Sequence, residues 1–291
     1  MDASVPQRTI AGPAVVAGFG YWSGRDVCVE FRPAPAHSGI VFVRADLPGS
    51  PRIAAWIEHR CETPRRTSLQ CGSAVVEMVE HVLAALAGLG IDNCEVWTDQ
   101  PEMPGMDGSA LPFVEALERA GIVDLGAPRP RRVVRQVIRL GTRDSWIEAR
   151  PARLPGTYLS YELDYGLESP IARQSHRICL SPEAFRSELA PCRTFMLREE
   201  AERLVAQGYG TRAGPRDLLV FGPEGPIDNS LRFRNECARH KVLDMVGDLA
   251  LAQVQWVGEF RAYRSGHRLN AELVRRLIRD TPRVCAHRHC A

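Results

Sequence analysis

Two stretches of this chain read alike, and their likeness limits the folds open to it more than any other feature. His81 is followed by Gly88 at the same spacing as His240 is followed by Gly247. Each stretch has the apolar periodicity of a packed helix; in the second, Val242, Leu243, Met245, Val246 and Leu249 supply it. Each then leads to a strand-like run and a further helix, with Ser109 and His267 at nearly equal distances from their histidines. Two copies of one α+β unit, facing each other with a site between them, account for both stretches. The likeness is short, so it supports such a fold without establishing it.

His240 and Asp244 stand at i and i+4, so a helix presents both side chains on one face. A plain surface ion pair has the same spacing. What favours a site is a second acidic and imidazole pair, Glu80-His81, in the other half of the chain.

The rest of the pattern fits this order. Short alternating runs at 15–18, 27–31 and 40–43, separated by Gly-, Pro- and Ser-rich turns, read as strands. A helix is expected over 73–87, capped by Ser73 and ended by Gly88 and Gly90, then a strand over 94–98. Ser109 caps an expected helix over 111–120 that Gly121 closes. The proline-rich, basic stretch 125–132 has nothing to bury and reads as a linker between domains over 1–124 and 133–280. Beyond it come strands over 133–140, 145–149 and 158–163, a short helix opened by Ser181 and Pro182, and a helix over 199–206. A strand over 254–263 and a helix near 271–278 follow the stretch carrying His240.

Composition narrows the function classes. At 291 residues, 45% of them hydrophobic, the chain can bury a large core and is long enough for about two domains. A net charge of +2 and basic patches confined to Arg65-Arg66 and 129–135 give no footprint for nucleic acid. Nine cysteines, odd in number and without a CxxC pair, point to reduced thiols in the cytoplasm. The opening residues lack the pattern of a secretory signal, and no run approaches the roughly 18 apolar residues of a membrane span. No stable membrane insertion is expected.

Three donors and one open position make a catalytic zinc site. His81, His240 and Asp244 supply two imidazoles and a carboxylate, a donor set suited to one Zn²⁺. Water on such an ion titrates at about pH 7, and Glu80 is placed to take its proton. His267, beside Gly266, is a candidate acid for a departing amine. Lys241 and the Thr194 region offer charge and hydroxyl or backbone donors to an oxyanion. Asp248 is a candidate to orient a histidine from behind. The bland readings are a core histidine for His81 and a surface loop for His267. Cys285, His287, His289 and Cys290 fit no zinc-finger spacing, so residues 281–291 read as a tail. His37, His59 and His176 have no partner legible in the sequence.

Taken in order, the motifs resemble the zinc-dependent UDP-3-O-acyl-N-acetylglucosamine deacetylases of lipid A biosynthesis. The resemblance runs over nearly the whole chain. It is carried by Gln7-Arg-Thr-Ile10, Arg32-Pro-Ala-Pro-Ala36, Val79-Glu-His81, the run from Ala84 to Asn93, and Met106-Asp-Gly-Ser-Ala110. It continues through Arg193-Thr-Phe195, Leu231-Arg-Phe233, the run from Arg239 to Asp244, Gly247-Asp-Leu249 and Ser265-Gly-His267. The resemblance implies an α+β fold of two similar domains, each a sheet layered with two helices, with the active site between them. It implies zinc on His81, His240 and Asp244, Glu80 as base, and His267 as acid tuned by Asp248. Lys241 and Thr194 assist, and Phe195 lies near the substrate glucosamine. An insert near 196–226 is implied to form a channel for the acyl chain, in an enzyme expected to be a monomer.

The chain also departs from that pattern. Trp22 stands where the family's glycine-rich Gly18 to Gly24 segment carries histidine. Met196 replaces a glycine, Cys192 an alanine, and Pro215-Arg-Asp-Leu218 a segment that usually ends in Asp-Asn. These changes lead us to expect altered substrate contacts with the metal ligands kept. A divergent deacetylase of another acylated amino-sugar and a non-catalytic zinc-binding relative are the alternatives.

Overall fold

The computed structural model describes residues 5–280. Tail residues Cys285, His287, His289 and Cys290 lie outside them. Five strands of the first half, β1 (Ala14–Phe19), β2 (Asp26–Pro33), β3 (Ile40–Arg44), β4 (Arg52–Ala54) and β5 (Cys94–Thr98), form a sheet in the order β1-β2-β5-β3-β4. The second half repeats it with β6 (Ile138–Gly141), β7 (Trp146–Arg150), β8 (Thr157–Leu163), β9 (Gln174–Cys179) and β10 (Gln255–Tyr263), in the order β6-β7-β10-β8-β9. In each sheet the last strand runs parallel to the third and antiparallel to the second. The order, the directions and the place of the helices therefore coincide in the two halves, as the repeat suggests.

Alternation builds these sheets. In β2, Val27, Val29 and Phe31 are buried while Cys28 is exposed, the period expected of a strand with one face on a core. Two helices back each sheet: α1 (Glu80–Leu89) and α2 (Leu111–Ala120) in the first half, α3 (Glu236–Leu249) and α4 (His267–Asp280) in the second. α2 and α4 are amphipathic and bury one stripe. α1 and α3 are buried almost all round because they also pack on each other. The layers run sheet, helices, helices, sheet, and the contact of α1 with α3 joins the halves. Gly247 of α3 makes that approach possible, since a Cβ there would overlap the Glu80 carbonyl oxygen.

Three local expectations need correction. Ser73 caps no helix: Ala74–Glu77 pairs antiparallel with Ser68–Cys71 across a two-residue turn, with Gly72 at φ 59°. Its β-branched valines suit a strand, and α1 begins only at Glu80. The stretch read as a linker is also ordered. Ile122–Pro128 pairs with Pro6–Ile10, and Arg131–Val133 runs parallel to β10. Backbone pairing gives this polar segment a place that side-chain burial alone did not reveal. Strand β9 was not foreseen, because Gln174, Ser175, His176 and Arg177 lack an apolar alternation.

The expected insert is a small β-α-β unit. Phe195–Leu197 pairs parallel with Leu219–Phe221 of strand Leu219–Gly222, and helix Arg198–Ala206 lies between them. No helix among the described residues is long and apolar enough to cross a membrane.

Candidate active site

α1 and α3 bring the two histidine stretches together. Ligand atoms of His81, His240 and Asp244 all lie within 4.8 Å of one another, and the three residues are buried. Nε2 of His81 is 3.8 Å, and Nε2 of His240 3.4 Å, from the same Asp244 oxygen, Oδ1. The imidazoles stand edge to face with centroids 5.1 Å apart. Nδ1 of His240 is 3.0 Å from the Cys192 carbonyl oxygen. A carbonyl only accepts, so Nδ1 carries the proton and Nε2 turns a lone pair to the cluster.

The charge states suit a cation. Burial, followed by neighbouring His240, pushes His81 down to about 3, and burial likewise lowers His240. Both imidazoles are therefore neutral at pH 7, the form able to bind a metal. Burial opposes ionisation of Asp244, but Lys241 and then His240 outweigh it and hold the carboxyl well below its usual range. Lys241 is half-buried; Asp244 outweighs the desolvation penalty and holds the ammonium above the ordinary lysine range. Its Nζ donates to Asp244 Oδ2 at 2.6 Å, so its charge is engaged first by that carboxylate. Two neutral imidazoles and one ionised carboxylate fit a borderline divalent ion such as Zn²⁺. No other His, Cys, Asp or Glu joins the cluster among the described residues.

Two further ionisable groups flank these three residues. Glu80 opens α1 and is buried, and its Oε2 accepts the Thr67 amide at 2.9 Å. Burial foremost, and Asp244 beside it, raise its pKa to about 7. His267 opens α4 rather than sitting on a free turn. Its Nδ1 lies 2.8 Å from Asp248 Oδ2. Burial works against its charge, yet Asp248 prevails and raises it to about 9. Asp248 is itself fixed by Thr67 Oγ1 at 2.6 Å and Asn270 Nδ2 at 2.8 Å. Thr67 thus ties the carboxylate in one half to the aspartate–histidine pair in the other. Nothing in the sequence singled it out, because a lone threonine carries no signal until two chain segments meet on it.

Thr194 and Phe195 line the same cavity of about 780 Å³. The Thr194 amide is already spent on the Gly108 carbonyl oxygen at 2.7 Å, so only its hydroxyl remains to offer. Phe195 stands edge-on to His240, centroids 6.1 Å apart. Both are placed by a buried pair that the sequence did not disclose: Arg193 donates to Glu236 Oε1 at 2.8 Å and to Asn229 Oδ1 at 2.8 Å. Besides these polar groups, the cavity is lined by apolar side chains of the insert, including Met196, Leu204 and Val220. Of the remaining histidines, His37 bonds Gln7, His59 the Ala54 carbonyl, and His176 approaches Glu188.

A duplicated α+β fold whose halves share buried His-His-Asp donors, with a carboxylate and an imidazole beside them, has the form of a metal-dependent hydrolase. The chain belongs to the UDP-3-O-acyl N-acetylglycosamine deacetylase (LpxC) family, which matches residues 7–279. It is 39% identical over 277 residues to proteins named UDP-3-O-acyl-N-acetylglucosamine deacetylase from Brucella ovis, Brucella canis and Brucella abortus. The match covers 94% of this chain and 96% of each relative. The resemblance read from the motifs is borne out, and with it the α+β fold.

Proposed function

We infer that this protein is a zinc-dependent amidohydrolase that releases acetate from UDP-3-O-acyl-N-acetylglucosamine, the lipid A biosynthetic step its family implies. One observation carries the reading. His81, His240 and Asp244 converge from both halves, with Glu80 and His267 held beside them in protonation states suited to a base and an acid.

His81, His240 and Asp244 would hold the ion, which when bound supplies Lewis-acid polarisation and acidifies water. The chain's own residues do the rest. Glu80, poised near neutrality, accepts a proton from the water that attacks the acetamide carbonyl carbon. The Thr194 hydroxyl, with the Lys241 charge nearby, favours the developing oxyanion. His267, protonated at neutral pH, donates to the amine nitrogen as the C–N bond breaks, leaving acetate and the free amino-sugar. Asp248 keeps His267 charged and oriented. Phe195 walls the sugar position, and the insert over 196–226 takes the acyl chain.

In this reading residues 1–124 and 133–280 are the two domains, and the enzyme works as a cytoplasmic monomer. Nine cysteines, odd in number and without a CxxC pair, are the sequence feature that favours a reducing compartment. The test is acetate release by the zinc-loaded protein from UDP-3-O-acyl-N-acetylglucosamine and from unacylated UDP-N-acetylglucosamine. Strong preference for the acylated compound is expected. Equal rates would count against that substrate; the alternative, a deacetylase of another acylated amino-sugar, is motivated by Trp22 and the changed insert. Stoichiometric zinc with no release from either would favour a non-catalytic relative.

A further inference from the structure

The insert does not hang freely over the cavity; the first half grips it, and the grip centres on Trp22. The Trp22 backbone is fixed from behind, where buried Glu102 accepts its amide at 2.7 Å and that of Ser23 at 2.9 Å. Gly20 allows this approach, since a Cβ there would overlap the same carboxylate. The indole has two neighbours. The Arg66 guanidinium lies 4.3 Å over the ring, and Arg66 is anchored in turn by Glu77 at 3.2 Å. From the insert, Tyr209 meets the indole at 5.7 Å with an interplanar angle of 70°. Two ion pairs close the seam alongside it: Arg65 with Glu200 at 3.0 Å, and Arg212 with Asp26 at 2.6 Å.

Trp22 and Tyr209 both line the cavity together with apolar Leu204 and Val205, and the Tyr209 amide bonds the Leu204 carbonyl oxygen at 3.0 Å. A ring held by backbone, cation and aromatic edge at once does not turn aside for a ligand, unlike a free leucine or methionine. We propose that the Trp22–Tyr209 contact is the length-selecting wall of this cavity, setting how long an apolar chain can lie between the first half and the insert. The proposal rests on the reading that the apolar end of the cavity receives the acyl chain. Trp22 is a specificity residue in this account: it touches the chain's path and takes no part in proton transfer.

The test uses full-length, zinc-loaded protein titrated calorimetrically with straight-chain saturated fatty acids of increasing length. Wild type is expected to gain roughly fourfold in affinity per methylene that still enters, and to stop gaining at a limiting length. Trp22→Ala and Tyr209→Ala are expected to go on gaining beyond that limit, while Trp22→Phe stays nearer wild type. Zinc content equal to wild type identifies variants that have kept the fold. If Trp22→Ala fails that check, Tyr209→Ala decides, because the tyrosine is 47% exposed and its loss leaves no core cavity. A limit unchanged in the folded variants, or no limit in wild type, overturns the proposal. Failure of the deacetylase reading is a separate outcome: no acetate release while the chain-length limit persists.

Discussion

Replacing Asp248 by Asn tests how the fold charges its candidate acid. Desolvation works against the charge on His267, but Asp248 at 2.8 Å outweighs it and raises the pKa to about 9. Asn keeps an acceptor of nearly the same shape but removes the charge. A hydrogen bond to a charged group contributes about 1.5–3 kcal/mol and a neutral one about 1 kcal/mol. The difference, about 0.5–2 kcal/mol, corresponds to roughly one pH unit. The sign follows from the role. The acid must be protonated, so activity is present below the folded pKa of His267 and is lost as pH rises through it. In wild type, kcat/KM for acetate release is therefore expected to fall through an alkaline limb near pH 9. In Asp248→Asn that limb should move down by about one unit, with bound zinc unchanged. An alkaline limb that stays in place would show that the Asp248 charge does not set the acid, and the coupling argued here would be wrong.

Other perturbations probe the remaining parts. Glu80→Gln keeps the shape of the side chain and its bond to the Thr67 amide but removes the base. Turnover should drop by roughly 10²–10⁴-fold with zinc retained, and near-wild-type turnover would reassign the base. Gly247→Ala drives a methyl into the Glu80 carbonyl oxygen at the closest approach of α1 and α3. Overpacking of this kind costs about 1–3 kcal/mol, so the thermal midpoint should fall, and turnover should fall further because α1 carries both Glu80 and His81. An unchanged midpoint would mean that the helices separate without strain.

Much of the site was legible because its chemistry is local in sequence. His240 and Asp244 share one helical face, and Glu80 and His81 are adjacent, so residue type and spacing revealed both clusters before any contact was known. The repeat added the reason for them to meet, and the identical strand orders of the two sheets supply the geometry behind it. What stayed hidden depends on distant segments. Thr67 matters only because Glu80 and Asp248 reach it from opposite halves. Arg193 and Glu236 look like surface charges until both are buried. Arg66 reads in the sequence only as part of a small basic patch, yet it stacks on Trp22. Backbone demands were equally silent: Ala74–Glu77 is apolar enough for the first turn of a helix and is a strand only because Ser68–Cys71 lies beside it.

The account stands on one ion shared between the halves. Metal content of purified wild type and Asp244→Ala, measured by elemental analysis after dialysis against metal-free buffer, tests this most directly. One equivalent of zinc in wild type and almost none in the variant is the predicted result. A full equivalent retained by Asp244→Ala would contradict the ligand set, and with it the mechanism built on that set.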